Sequence, residues 1–147
     1  MALDETAEIR IARPAEQVAA YMFDPVNDPA WIGGIGDATP LDEAPVRVGS
    51  RVRRQASFLG RRIDYVMEVV ALDSGRRLAM HAVEAPMPMD VTYEVDPAGD
   101  AAVARVRVQG DAGGLYRIAG PLISAQVGRS IDGDVRRLKE ILESGPD

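Results

Sequence analysis

Between Gly113 and Ser144, apolar residues recur at steps of three and four: Leu115, Ile118, Ala119, Leu122, Ile123, Val127, Ile131, Val135, Leu138, Ile141 and Leu142. That spacing lines one face of a helix, with Arg129, Asp132, Arg136, Arg137, Lys139, Glu140 and Glu143 mostly off it. Gly120-Pro121 interrupts the stripe, because proline removes a helix donor and disfavours helical geometry at the residue before it. The pattern therefore predicts a kink there, or a short helix followed by a longer one starting near Pro121. An amphipathic helix of this length needs an apolar surface to lie on.

The sixty residues before it supply one. Runs of alternating character at Val52–Phe58, Arg62–Val70, Arg77–Glu84, Met89–Val95 and Ala102–Gln109 predict five strands. Short turns around Gly60, Asp73-Ser74-Gly75, Pro86-Met87-Pro88 and Asp96-Pro97-Ala98-Gly99-Asp100 join them as a meander. Upstream, Glu8-Ile9-Arg10-Ile11-Ala12 alternates and predicts a first strand, and Pro14 suits the opening turn of a short helix carrying Val18, Tyr21 and Met22. A further helical turn is expected between Asp24 and Ile32, ahead of the Gly33-Gly34-Ile35-Gly36 loop, whose glycines suit a turn and a mobile lid. A fainter strand is expected between Gly36 and Leu41. No repeat or linker breaks the chain, so residues 1–147 read as one domain.

Side chains alternate across a sheet, so hairpin pairing sorts them by face. One face collects Val52, Arg54, Ala56, Phe58, Ile63, Tyr65, Met67, Val69, Leu78, Met80, Ala82, Glu84, Met89, Val91, Tyr93, Val95, Ala102, Ala104, Val106 and Val108. The other carries Arg51, Arg53, Gln55, Asp64, Glu68, Arg77, His81, Asp90, Thr92, Glu94, Arg105 and Arg107. One wet face and one apolar face are what an antiparallel sheet covered on one side requires. The terminal helix belongs on the apolar side.

Composition narrows the function classes. With 147 residues, 46% of them hydrophobic, the chain can bury a core, and the lack of cysteine removes disulfide and thiolate chemistry. A formal charge of −6 argues against a nucleic-acid binder. The local cluster of Arg47, Arg51, Arg53, Arg54, Arg61 and Arg62 is countered by nearby acids and reads as a solvated sheet face. No apolar run reaches the length of a membrane span, and the first residues lack a signal-peptide pattern, so a cytoplasmic protein is expected. His81 is the only histidine and falls on the wet face; with no cysteine either, no metal site and no cofactor are expected. The glycine loop is not a phosphate loop, since no Lys-Ser/Thr follows it.

The order of elements, with the Asp24-Pro25-x-Asn27-x-x-x-Trp31 stretch, Arg76-Arg77-Leu78 opening one strand and Thr92-Tyr93-Glu94-Val95 in the next, resembles the helix-grip superfamily. These are the SRPBCC proteins, which include the START-like, polyketide cyclase/dehydrase and Bet v 1-like groups. The resemblance spans about residues 7–142. It implies an α+β fold: a curved seven-stranded antiparallel sheet around a long C-terminal helix, with two short helices after strand 1. It also implies a cavity between sheet and helix that holds a lipid, a polyketide or an aromatic metabolite. Some members of the superfamily catalyse cyclisation, dehydration or hydrolysis, and others dock proteins. Fold alone does not choose among these.

Within that frame the pocket candidates are Phe58, Tyr65, Met67, Met80, Met87, Met89 and Tyr93, where adaptable methionines suit a flexible apolar ligand. Trp31 suits either a cap on the pocket mouth or a plug holding the small helices to the sheet, and Leu115, Tyr116 and Leu122 suit the entrance. Arg54, Tyr65 and Glu84 fall on three consecutive strands and share the inward face. A buried Arg–Glu pair beside a phenol suits a ligand carbonyl, carboxylate or hydroxyl, and a desolvated Glu84 suits a general base. These three are the catalytic candidates. The expected partner is a small hydrophobic molecule; a homodimer is compatible with the sequence.

Overall fold

The computed structural model describes residues 3–58, 60–85, 88–110 and 114–145. Strand β1 (Leu3–Ile11) leads into helix α1 (Ala15–Met22), a 3-10 turn (Pro25–Asn27) and one turn of helix, α2 (Asp28–Trp31). Strands β2 (Ile35–Pro40), β3 (Arg51–Phe58), β4 (Arg61–Asp73), β5 (Arg77–Glu84), β6 (Met89–Ala98) and β7 (Ala101–Gly110) follow, and helix α3 (Gly114–Ser144) closes the chain. All seven strands join one antiparallel sheet in the order β1-β7-β6-β5-β4-β3-β2. This is the helix-grip architecture expected above, with β1, β4 and β6 longer than their sequence patterns suggested.

The expected apolar face is the buried one. Val52, Met67, Val69, Leu78, Met80, Val91, Tyr93, Val95, Ala104 and Val106 meet Ile131, Val135, Leu138 and Leu142 of α3 in a single core. Ile123 and Leu3 form a smaller cluster toward the other end of the helix. Truncating a fully buried residue such as Leu138 to alanine costs about 2–5 kcal/mol. The opposite face is wet and ion-paired: Arg105 reaches Glu8 at 2.9 Å and Asp96 at 3.3 Å, and Arg107 holds Asp4 at 2.7 Å. His81 belongs to that face and pairs with Asp90.

Three expectations need correcting. Helix α3 runs through Pro121 as one element rather than as the two helices that were one of the expected outcomes, and the proline stands exposed, where its missing donor is one bond lost from a long ladder. Gly33, Gly34 and Gly36 do not adopt the left-handed backbone; among the described residues the positive-φ glycines are Gly49, Gly60, Gly75 and Gly99. Arg137 lies over Gly33, and an added Cβ there would run into its guanidinium unless that side chain moved. That loop is clamped: Asp134 on α3 accepts the Gly33 N–H and an Arg137 N–H, and Arg137 Nε donates to the Trp31 carbonyl. Finally, parity fails along β4 and β5. A register shift between Val69 and Ala71 is followed by one between Val66 and Met67, and the second places Glu84 opposite Val66.

Candidate functional site

The 3-10 turn builds one wall. Asp24 accepts the Val26 N–H at 3.1 Å, and the Asn27 amide donates to the Tyr21 carbonyl at 3.1 Å, which folds the turn back onto α1. The next residues start α2, where Asp28 and Trp31, three apart, share the inward side and are both buried. Across from them, alternation along β3 turns Arg54 inward between Val52 and Ala56, and alternation along β6 does the same for Tyr93 between Val91 and Val95.

These elements converge on one cluster. Arg54, 3% exposed, donates from Nε and Nη2 to Oδ2 of Asp28 at 3.0 and 2.8 Å. Its Nη2 also donates to the Tyr93 hydroxyl at 3.0 Å. The Tyr93 ring is held between Phe23, stacked at 6.5 Å, and Trp31, edge-on at 5.4 Å. Burial opposes the Arg54 charge, but the Tyr93 and Asp28 oxygens beside it outweigh that and hold its proton well above the usual guanidinium range. Burial pushes the Asp28 carboxyl up, and Arg54 draws it back. Burial likewise drives the Tyr93 phenol far up, so at neutral pH it is a proton donor.

Beside the cluster lies a half-open cavity of about 70 Å³. Arg54, Asp28 and Tyr93 line it with Phe23, Val52, Val69, Leu78 and Met80, and Asp24, Asp42 and Glu43 stand at its rim. Two donors there are free among the described residues. Arg54 Nη1 makes no hydrogen bond, and the Tyr93 hydroxyl, which accepts from Arg54, has no acceptor for its own proton. Arg54 and Tyr93 both line the cavity, so donor capacity that their own network leaves unused is within a ligand oxygen's reach. The volume is about half that of a cavity known to hold benzene (about 150 Å³), so it suits a ligand's polar head, with the remainder in the groove outside.

The structure brings together Arg54, Met80 and Tyr93 of the sequence candidates. Tyr65 is the cross-strand neighbour of Arg54, half-buried and not part of the lining. Trp31 is a plug at 1% exposure behind Tyr93, and its Nε1 has no hydrogen-bond partner among the described residues. Met67 is core, and Met89 packs half-buried against it. Glu84 is exposed at the end of β5, so Arg54 takes its carboxylate from Asp28 instead. Leu122 is 74% exposed, because the helical phase turns Ile123 inward. Met87 and the side chains of Phe58, Leu115 and Tyr116 lie outside the described residues. No described residue of α3 lines the cavity; it opens between the 3-10 turn, the segment 40–46 and strands β3 to β6.

Residues 4–143 match the family described as polyketide cyclase / dehydrase and lipid transport. The chain belongs to that family. Its fold is shared with several solved structures. The protein TTHA0849 from Thermus thermophilus superposes with a TM-score of 0.83 at 16% identity, over 97% of this chain and 99% of that one. The ZhuI aromatase/cyclase from Streptomyces sp. R1128 gives 0.81 at 16%, over 97% and 94%. A START superfamily protein from Mycobacterium smegmatis gives 0.81 at 16%, over 96% and 97%. At such identities the likeness is one of fold. No curated protein sequence matches the chain. No described helix is long and apolar enough to cross a membrane, and no group of three potential metal ligands occurs among the described residues.

Proposed function

We propose that the protein binds a small, largely apolar molecule through an oxygen acceptor, with Arg54 and Tyr93 as the donors. The observation that carries this is the buried guanidinium at the cavity wall: two of its nitrogens are fixed by Asp28 and Tyr93, and the third makes no hydrogen bond among the described residues. Asp28 acts as a positioning residue. It holds the guanidinium plane and balances its charge, so that Nη1 and the Tyr93 hydroxyl meet one ligand oxygen. Val52, Val69, Leu78 and Met80 give the ligand's carbon frame an apolar wall.

A second reading is turnover of the cyclase or dehydrase kind, which the family description and the aromatase/cyclase neighbour both favour. In that reading the two donors polarise a carbonyl oxygen and stabilise the negative charge that builds on it in the transition state. Tyr65 and Glu84 remain candidates for proton transfer only if a bound ligand reaches past the cavity to them.

Native mass spectrometry of the purified protein, followed by denaturing extraction, tests the reading. A defined adduct whose extracted molecule carries a ring or chain with a carbonyl or hydroxyl is the expected result. A protein that stays free of adduct and shows no saturable uptake of apolar ketones would overturn it.

A further inference from the structure

The charges around the cavity restrict which oxygen it takes. Resting on the reading of Arg54 and Tyr93 as a ligand site, we infer that the cavity selects neutral or cationic carbonyl compounds and rejects carboxylates. An arginine in a pocket ordinarily suggests an anion, but this one is already balanced by Asp28, which accepts two of its N–H groups. Of the side chains lining the cavity, four are carboxylates (Asp24, Asp28, Asp42 and Glu43) and two are guanidiniums (Arg51 and Arg54), a formal charge of −2. Arg51 turns to Glu68 at 2.9 Å, so its charge too is engaged elsewhere.

A ligand carboxylate would therefore lose its water to enter a site with no uncompensated positive charge, past rim acids of its own sign. A ketone oxygen carries no charge to desolvate and still finds both spare donors. A ligand that adds an ammonium group on its far side gains the rim: Glu43 is exposed and makes no hydrogen bond among the described residues, and Asp42 commits one oxygen to the Arg51 N–H.

Three para-substituted aryl ligands separate the terms: 4-hydroxyacetophenone, 4-hydroxybenzoate and 4-(aminomethyl)acetophenone. Binding is followed by emission of Trp31, the only tryptophan, which touches Tyr93, and by calorimetry. The neutral ketone is expected to bind at least about tenfold more tightly than the benzoate, and the aminomethyl ketone more tightly again. Glu43→Gln is expected to remove most of the aminomethyl ketone's advantage over the neutral ketone. Benzoate affinity equal to or above that of the ketone overturns the selectivity and leaves the ligand site standing. Failure of all three to bind overturns the site itself, and the selectivity with it.

Discussion

Arg54 and Asp28 are a buried ion pair, and such pairs are seldom explained by stability. Removing one partner leaves a charge without compensation, a cost of about 3–5 kcal/mol, whereas replacing both by apolar residues is often neutral or favourable. Asp28→Leu is therefore predicted to lower the urea midpoint sharply. Asp28→Leu with Arg54→Met is predicted to restore it to wild type or above while abolishing ligand binding. Tyr93→Phe keeps both ring contacts and loses one donor. It is predicted to cost about 1 kcal/mol of stability and to weaken a ketone ligand about three- to tenfold, read by calorimetry. Arg54 and Tyr93 were legible from alternation alone. Asp28 was not: the sequence places it in a turn, where acids are usually solvated, and only the packing of the 3-10 turn drives it inward. Glu84 looks like the natural partner only while strands are assumed unbroken, and the shift beside Met67 turns it away.

At the scale of elements, hydrophobic spacing carried most of the fold. Ile131, Val135, Leu138 and Leu142 repeat at helical steps, and all are buried as that spacing requires. What spacing could not carry was the clamp of α3 on α2. Asp134 and Arg137 look like ordinary solvent-face charges until Gly33 and the Trp31 carbonyl arrive between them. Gly33→Ala would push the Arg137 guanidinium off both partners and leave the buried Asp134 carboxylate poorly satisfied. A loss of about 1–3 kcal/mol in thermal or urea unfolding is expected. The glycines within α3 behave oppositely. A Cβ at Gly133 would lie 3.8 Å from Arg137, an ordinary contact, so Gly133→Ala should raise stability by about 1 kcal/mol through helix propensity. At Gly128 the Cβ would meet Glu5 at 3.0 Å, and the gain should be smaller because that side chain must move.

For the whole molecule, the end of β1 and the end of α3 are tied by side chains. Glu143 accepts from Lys139 at 2.6 Å and from the Ala12 N–H at 2.8 Å, and Arg13 donates to the Glu143 and Gly145 carbonyls at 2.8 and 3.2 Å, capping α3. The Lys139 and Ala12 bonds hold the Glu143 carboxyl below its usual range. A carboxyl lowered on folding adds stability that is present above its unfolded pKa and is lost as pH falls through the folded one. Glu143→Gln is thus predicted to lower the melting temperature at neutral pH and to flatten its decline on acidification. The same mutual support of sheet, small helices and α3 holds Arg54 and Tyr93 in place before any ligand arrives, which is the central claim. The most direct test is the infrared carbonyl stretch of 4-hydroxyacetophenone bound to the protein. Two donors on one oxygen should move the band to lower frequency than in an aprotic solvent, less so in Tyr93→Phe, and the Asp28→Leu, Arg54→Met double variant should bind no ketone. A bound band at the aprotic frequency, or one unmoved by Tyr93→Phe, would contradict the account.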